Sequence, residues 1–217
     1  MNGIILPTDR QVIGVVGGAG VGKGVVTDLL HEGSFSTTIS LSNMLRMIAT
    51  EFGGTHKRDT LDAIGNFLRG KYEDQGILAG FAVETINDHP EWDRIVVESI
   101  RHPDEVLRLQ EDLGAFVIGI TMPEETRFDL LKQRHREGDP TTKKGFKRLL
   151  RVEAGALSNG INIPEALEAA DVVIHNDGTI DDFRQDTIDV LTEHGIHLEG
   201  NRLQPEREMT LPVLARR

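Results

Sequence analysis

Gly17-Gly18-Ala19-Gly20-Val21-Gly22-Lys23-Gly24 stands directly after the β-branched run 12–16 and directly before the apolar stretch 25–30. Glycines let successive backbone N–H groups turn inward at phosphate oxygens, a following helix presents its positive end, and a lysine adds a full charge to the β and γ phosphates. Glycine at both fixed positions, then lysine, between a strand and a helix, is the pattern of a phosphate loop. The bland alternative is a glycine-rich strand-to-helix turn or a dinucleotide-binding turn, since Gly14, Gly17 and Gly20 fit a partial glycine fingerprint. Lys23 favours a nucleoside triphosphate, and Gly18, Ala19, Gly20, Val21, Gly22, Lys23, Gly24 and Val25 become the candidate ATP-binding residues. Gly24 stands where Ser or Thr would offer a hydroxyl to Mg²⁺, so the metal would be held by phosphates, water and a carboxylate from elsewhere.

Working outward, short apolar runs at 11–16, 37–41, 94–98, 115–120 and 171–175 suit strands buried on both faces of a parallel sheet. Between them, 103–113, 123–135 and 180–193 carry helical spacing, two of them opening with proline. The alternation predicts βαβ units. Residues 42–87 hold no strand pattern, while Leu61, Ile64, Leu68 and Ile77, Leu78, Phe81, Ile86 fall on helical faces, which predicts a helical insertion between the second and third strands. The expected organisation is a single α/β domain over 1–200 with a tail at 201–217.

Composition bounds the rest. The 217 residues carry 24 Lys plus Arg against 35 Asp plus Glu, a net charge of −11, which argues against a general nucleic-acid binder. The absence of cysteine excludes disulfide scaffolds, zinc thiolates and thiol nucleophiles. The eight histidines form no metal pattern, and one Trp and one Tyr are too few for a base-stacking platform. No apolar stretch reaches membrane-spanning length and no export signal is visible in 1–10, so the expectation is a cytoplasmic protein with no nucleic-acid or membrane partner. The apolar run 209–214 raises the expectation of a homodimer arm. The charge is uneven: nine basic and three acidic residues between Arg127 and Arg151 give +6, leaving −17 for the remainder. A solvated helix face would account for such a run as well as a phosphate grip would.

Lysine followed by glycine, and the segment Ile39-Ser40-Leu41-Ser42-Asn43-Met44-Leu45-Arg46, resemble adenylate kinase and its relatives in the P-loop nucleoside monophosphate kinase superfamily. The likeness continues through Phe67-Leu68-Arg69-Gly70-Lys71-Tyr72, Val97-Glu98-Ser99-Ile100-Arg101 and Asn176-Asp177-Gly178-Thr179, covers about 10–192, and looks nearest to dephospho-CoA-kinase-like proteins and small deoxynucleotide kinases. It implies a three-layer fold on a five-stranded parallel sheet of order 2-3-1-4-5, a monophosphate-binding insertion at about 42–87 and a short lid at about 134–147. It implies acceptor contacts from Ser42, Arg46, Arg69 and Arg101, catalytic roles for Lys23, Arg101, Arg134 and Arg136, nucleotide contacts from Arg136, Asn176 and Gly178, and Mg²⁺ held through water by Glu98. The implied reaction moves the γ-phosphoryl of ATP to a nucleoside or deoxynucleoside monophosphate; the alternatives are transfer to a hydroxyl, as in dephospho-CoA kinase, and a non-kinase nucleotide switch. The sequence departs from the family at Val25, Asn43, Glu98 and Ser99, where Thr, Asp, Asp and Gly are usual.

Overall fold

The computed structural model describes residues 10–136, 138–157 and 160–198. The expected tail at 201–217 lies outside them. Five strands, β1 (Gln11–Gly17), β2 (Thr37–Ser40), β3 (Arg94–Ile100), β4 (Phe116–Thr121) and β5 (Val172–His175), form one sheet in the order β2-β3-β1-β4-β5 with every pairing parallel. The expected strands each match to within two residues at either end.

The sheet is buried on both faces because its residues alternate between two apolar clusters. Val12, Val16, Ile39, Ile95, Val97 and Val117 face one layer, and Ile13, Val15, Val96, Ile118, Ile120 and Ile174 face the other. Each such side chain removed from water contributes ~1.5–3 kcal/mol, an upper bound against an extended unfolded chain. The second layer is closed by α1 (Lys23–Glu32), through Val26 and Leu30, and by α9 (Ile180–Glu193), through Phe183 and Leu191. The first is closed by α2 (Leu41–Glu51), α4 (Ile77–Asn87), α5 (Pro103–Leu113) and α8 (Ile163–Glu168).

Three helices fill the expected insertion, but its segments are not equivalent. Leu41, Met44 and Ile48 of α2 and Leu78, Phe81 and Ile86 of α4 belong to the main core, so these two helices are sheet-covering layers. α3 (Arg58–Tyr72) packs mainly on α2 and α4 and carries an exposed Phe67, and 53–57 before it are exposed throughout.

The basic segment also differs from its expected form. The helix anticipated over 123–135 is α6 (Glu124–Gln133), with Pro123 as N-cap and Arg134 as C-cap. Thr142 caps the next helix, α7 (Lys143–Glu153), its hydroxyl accepting from Gly145 N–H at 3.1 Å. Lys143, Lys144, Lys147, Arg148 and Arg151 of α7 are exposed, whereas Phe146 and Leu149 are buried against Leu131 of α6. Most of the positive charge is therefore a solvated helix face.

Among the described residues, no helix is long and apolar enough to cross a membrane.

Candidate active site

β1 is the central strand, and the chain leaves its carboxyl end for β2 on one side while β4 lies on the other. In open parallel sheets such a point opens a crevice for ligands. The glycine-rich loop sits there. Gly22, the N-cap of α1, has φ of 105°, and a Cβ on it would lie 2.5 Å from the Asn176 side-chain amide, so glycine answers both a left-handed backbone and a close approach. The N–H groups of Gly20, Val21 and Gly22 donate to no acceptor among the described residues, although the loop is packed on its outer side. Lys23 Nζ folds back to donate to the carbonyls of Gly17 at 2.9 Å and Gly18 at 2.6 Å. Burial, and then the like charge of Arg101, lower the Lys23 pKa to about 8. Free N–H groups and a desolvated ammonium facing one another are a site built for anionic oxygen.

Two side chains from distant segments hold this loop from outside. Asn176, just past β5, donates its amide Nδ2–H to Val21 O at 3.0 Å. Its sequence-expected contact was with the nucleotide; the structure ties its amide to the phosphate loop. Gly178 lies in the turn that follows, against Asp182, whose carboxylate accepts from Thr179 N–H at 3.0 Å in the capping box of α9. A cleft of about 270 Å³ opens beside that turn, lined by Thr121, Met122, Pro123, His175 and Asp177. Arg127 reaches the loop from α6 and pairs there with Glu153 of α7.

On the other side of Lys23 lies the expected acceptor face. Ser40, Ser42 and Ser99 bring their hydroxyl oxygens into a triangle with edges of 3.1, 3.3 and 3.2 Å. Ser99 occupies a bulge at the end of β3 with φ of 65°, a left-handed conformation that costs a non-glycine residue of order 1 kcal/mol or more. Arg46 donates Nη1–H to Ser42 Oγ at 2.9 Å and to Asn43 Oδ1 at 2.7 Å, so the departure from Asp to Asn at 43 keeps an oxygen facing the arginine. Arg101 follows β3, and desolvation, followed by the like charge of Arg58, pulls its guanidinium below the ordinary arginine value. Asp62 of α3 lies within electrostatic reach of Arg101 and Arg58, and burial raises its carboxyl pKa. Glu98 pairs in register with Val15 of β1 and Ser40 of β2, and its charge acts on Lys23.

Lys23, Ser42, Arg46, Glu98 and Arg101 are thus gathered around the carboxyl ends of β1, β2 and β3. Arg69 differs. Its guanidinium donates to Glu105 at 2.8 Å in a pair exposed by 8% and 1%, and to Gln75 O at 3.2 Å. The same Glu105 accepts from the N–H groups of Arg101 at 2.8 Å and His102 at 3.2 Å in the capping box of α5. Arg69 is committed to this buried lock, because a fully desolvated carboxylate requires a cation more than the cleft does. Arg134 is held by both carboxylate oxygens of Asp139, which raises its pKa through that hydrogen bond, and Arg136 is exposed. The structure brings neither lid arginine into contact with the phosphate loop.

The residues found only in the structure are Arg58, Asp62 and Glu153, and Arg127, counted in the basic run, gains its partner only there. Spacing carries no signal for the last pair, since Arg127 meets a carboxylate 26 residues on and Glu153 an amide 134 residues back.

The crevice donors fit a triphosphate: the N–H groups of Gly20, Val21 and Gly22 have no acceptor among the described residues, and the desolvated Lys23 ammonium lies beside them. For a divalent cation the described residues hold no group of three acidic or histidine ligands, and a Cβ at Gly24 would meet nothing within 4 Å. Glu98 as one carboxylate, with the remaining oxygens from phosphates and water, suits Mg²⁺, which keeps much of its hydration.

The architecture and the loop define the class: this is a P-loop kinase-like fold. It superposes on shikimate kinase from Acinetobacter baumannii with a TM-score of 0.53 at 14% identity, covering 85% of this chain and 94% of that one. A sugar kinase from Janibacter sp. superposes with a TM-score of 0.51 at 16% identity over 86% and 95% of the two chains. No family model matches the sequence. A UPF0200 protein from Methanothermobacter thermautotrophicus is 30% identical over 170 residues, 78% of this chain and 83% of the relative, and one from Methanosarcina barkeri is 27% identical over 186 residues, 85% and 96%. The chain belongs to the UPF0200 protein family.

Proposed function

We propose that the protein is an ATP-dependent phosphotransferase that moves the γ-phosphoryl group to a nucleoside or deoxynucleoside monophosphate, giving ADP and a nucleoside diphosphate. The observation that carries this reading is the cradle of free N–H groups around a desolvated Lys23, flanked by Arg46 and Arg101 on the side away from the cleft that would take the base. The bond from the γ-phosphorus to the β,γ-bridging oxygen breaks, a bond to an acceptor phosphate oxygen forms, and ADP leaves. Such a transfer asks the protein for alignment and positive donors around the moving charge. Lys23 and the loop N–H groups bind the donor phosphates, Arg46 and Arg101 orient the acceptor phosphate, and Glu98 would hold Mg²⁺ through water. Mg²⁺, when bound, neutralises charge on the β and γ phosphates. Arg134 and Arg136 would join the donors around the nucleotide on closure of the lid. Across the superposed kinases the names shikimate kinase and sugar kinase support small-molecule phosphoryl transfer as the wider class.

One observation favours a second reading, transfer to a hydroxyl. A phosphate acceptor is already an anion at neutral pH, whereas an alcohol needs a general base, and Asp62 is a carboxyl with a raised pKa beside Arg101. A coupled ADP-release assay with ribo- and deoxynucleoside monophosphates, dephospho-CoA and small hydroxy acids separates the two. The proposal expects acceptor-dependent ADP release with at least one monophosphate. Turnover only with a hydroxyl acceptor moves the assignment to the second reading, and no turnover with any of them overturns both.

A further inference from the structure

We propose that Glu153 is a positioning residue for the phosphate loop, locking the Ala19 peptide and Arg127 together beneath Lys23. The inference rests on the reading of the loop as an ATP site. Glu153 Oε1 accepts from Ala19 N–H at 2.8 Å and from Arg127 Nη2–H at 2.6 Å, while Arg127 Nε–H donates to Ala19 O at 2.6 Å. The backbone N–H and C=O of one loop residue, Ala19, are therefore both held by one ion pair, whose side chains are only 8% and 12% exposed. Gly18 makes room for it, since a Cβ there would lie 2.6 Å from Arg127 Nη2. The next three residues, Gly20, Val21 and Gly22, are those whose N–H groups stay free, so fixing the Ala19 peptide fixes the direction in which the cradle opens.

Glu153 also stands where helix physics alone disfavours it. It is the last residue of α7, where the negative end of the macrodipole disfavours a carboxylate. Every other charged side chain of α7 is basic and exposed, and this one is turned inward to the loop. The pair ties the C-terminal end of α7 to the loop. The charge reaches further still: Lys23 is faced by Arg101 and Glu98 from the β3 side, by Arg127 from α6 and by Glu153 from α7, and Glu153 is the leading influence that favours the ammonium.

The test is the dissociation constant of ATP, by calorimetry, for the full chain and for E153A, E153Q and R127M between about pH 6.5 and 9.5. In the parent protein affinity falls as pH rises through about 8, where free Lys23 loses its proton. E153A binds roughly tenfold more weakly at neutral pH, the equivalent of one lost charged hydrogen bond. E153Q, which keeps an acceptor for Ala19 N–H, recovers most of that affinity. A carboxylate that merely sat near the phosphates would repel them, so its removal would tighten binding. The basic limb moves to lower pH in both Glu153 variants, because an anion that favours the ammonium is gone, and to higher pH in R127M, because a cation is gone. Parent-like or tighter binding by E153A, or a limb that E153Q and R127M leave in place, overturns the inference. If E153A fails to fold, the opposite limb shifts of E153Q and R127M decide alone. Failure of the parent protein to bind ATP at any pH overturns instead the reading of the loop itself.

Discussion

Two buried arginine–carboxylate pairs flank the crevice, and they are chemically the same device put to different ends. On the proposed acceptor side, Arg69 and Glu105 are exposed by 8% and 1%; on the proposed nucleotide side, Arg127 and Glu153 by 8% and 12%. Glu105 spends its second oxygen on the backbone at the start of α5, so the pair ties α3 to the layer beneath it. Glu153 accepts from the phosphate loop itself and lies within electrostatic reach of Lys23. A buried ion pair is by itself weak support for stability or for function, because desolvation offsets much of the attraction. What separates the two is what the carboxylate's remaining hydrogen bond holds.

The largest expected effect breaks the acceptor-side lock. Glu105→Ala leaves Arg69 buried without its anion, at a cost of about 3–5 kcal/mol. The melting temperature should fall by roughly 6–20 °C in a thermal scan, while ATP affinity at a permissive temperature stays at the parent value. Equal loss of ATP affinity would erase the contrast between the two pairs. Next, Lys23→Ala should lower acceptor-dependent ADP release by about 10²–10³. Its melting temperature should be unchanged or higher, since the lowered pKa means that folding disfavours this ammonium at neutral pH and the substitution relieves that burden. The smallest effect is at Ser99, where Ser99→Gly removes a left-handed serine and should stabilise the chain by about 1 kcal/mol, near 2–4 °C. The same substitution deletes one corner of the hydroxyl triangle, so steady-state kinetics should show a raised acceptor KM with the ATP KM unaffected.

The sheet and the loop were legible because their signals are local. A β-branched run followed by glycines and a lysine needs no knowledge of the rest of the chain, and continuous apolar character marks strands covered on both faces. The arginines were less legible because their roles depend on partners far away in sequence. Arg127 and Arg134 both fall in the basic run, yet α6 ends at Gln133, Arg127 is buried against the loop and Arg134 turns to Asp139. Arg69 sits in a family-like element but meets Glu105, 36 residues on. Glu153 closes a helix whose other charged side chains are exposed cations, and nothing in the sequence pattern marks it as turned inward. The family likeness pointed to residues that the fold gathers at the carboxyl ends of β1, β2 and β3; which cations stand free there is fixed by which carboxylates the fold buries nearby.

The central claim, that this crevice transfers phosphate from ATP, is tested most directly by acceptor-dependent ADP release from the parent protein beside Lys23→Ala. The account predicts saturable release with a nucleoside monophosphate and loss of it in the variant. Release that is equal in both proteins, or absent from the parent with every acceptor, would contradict it.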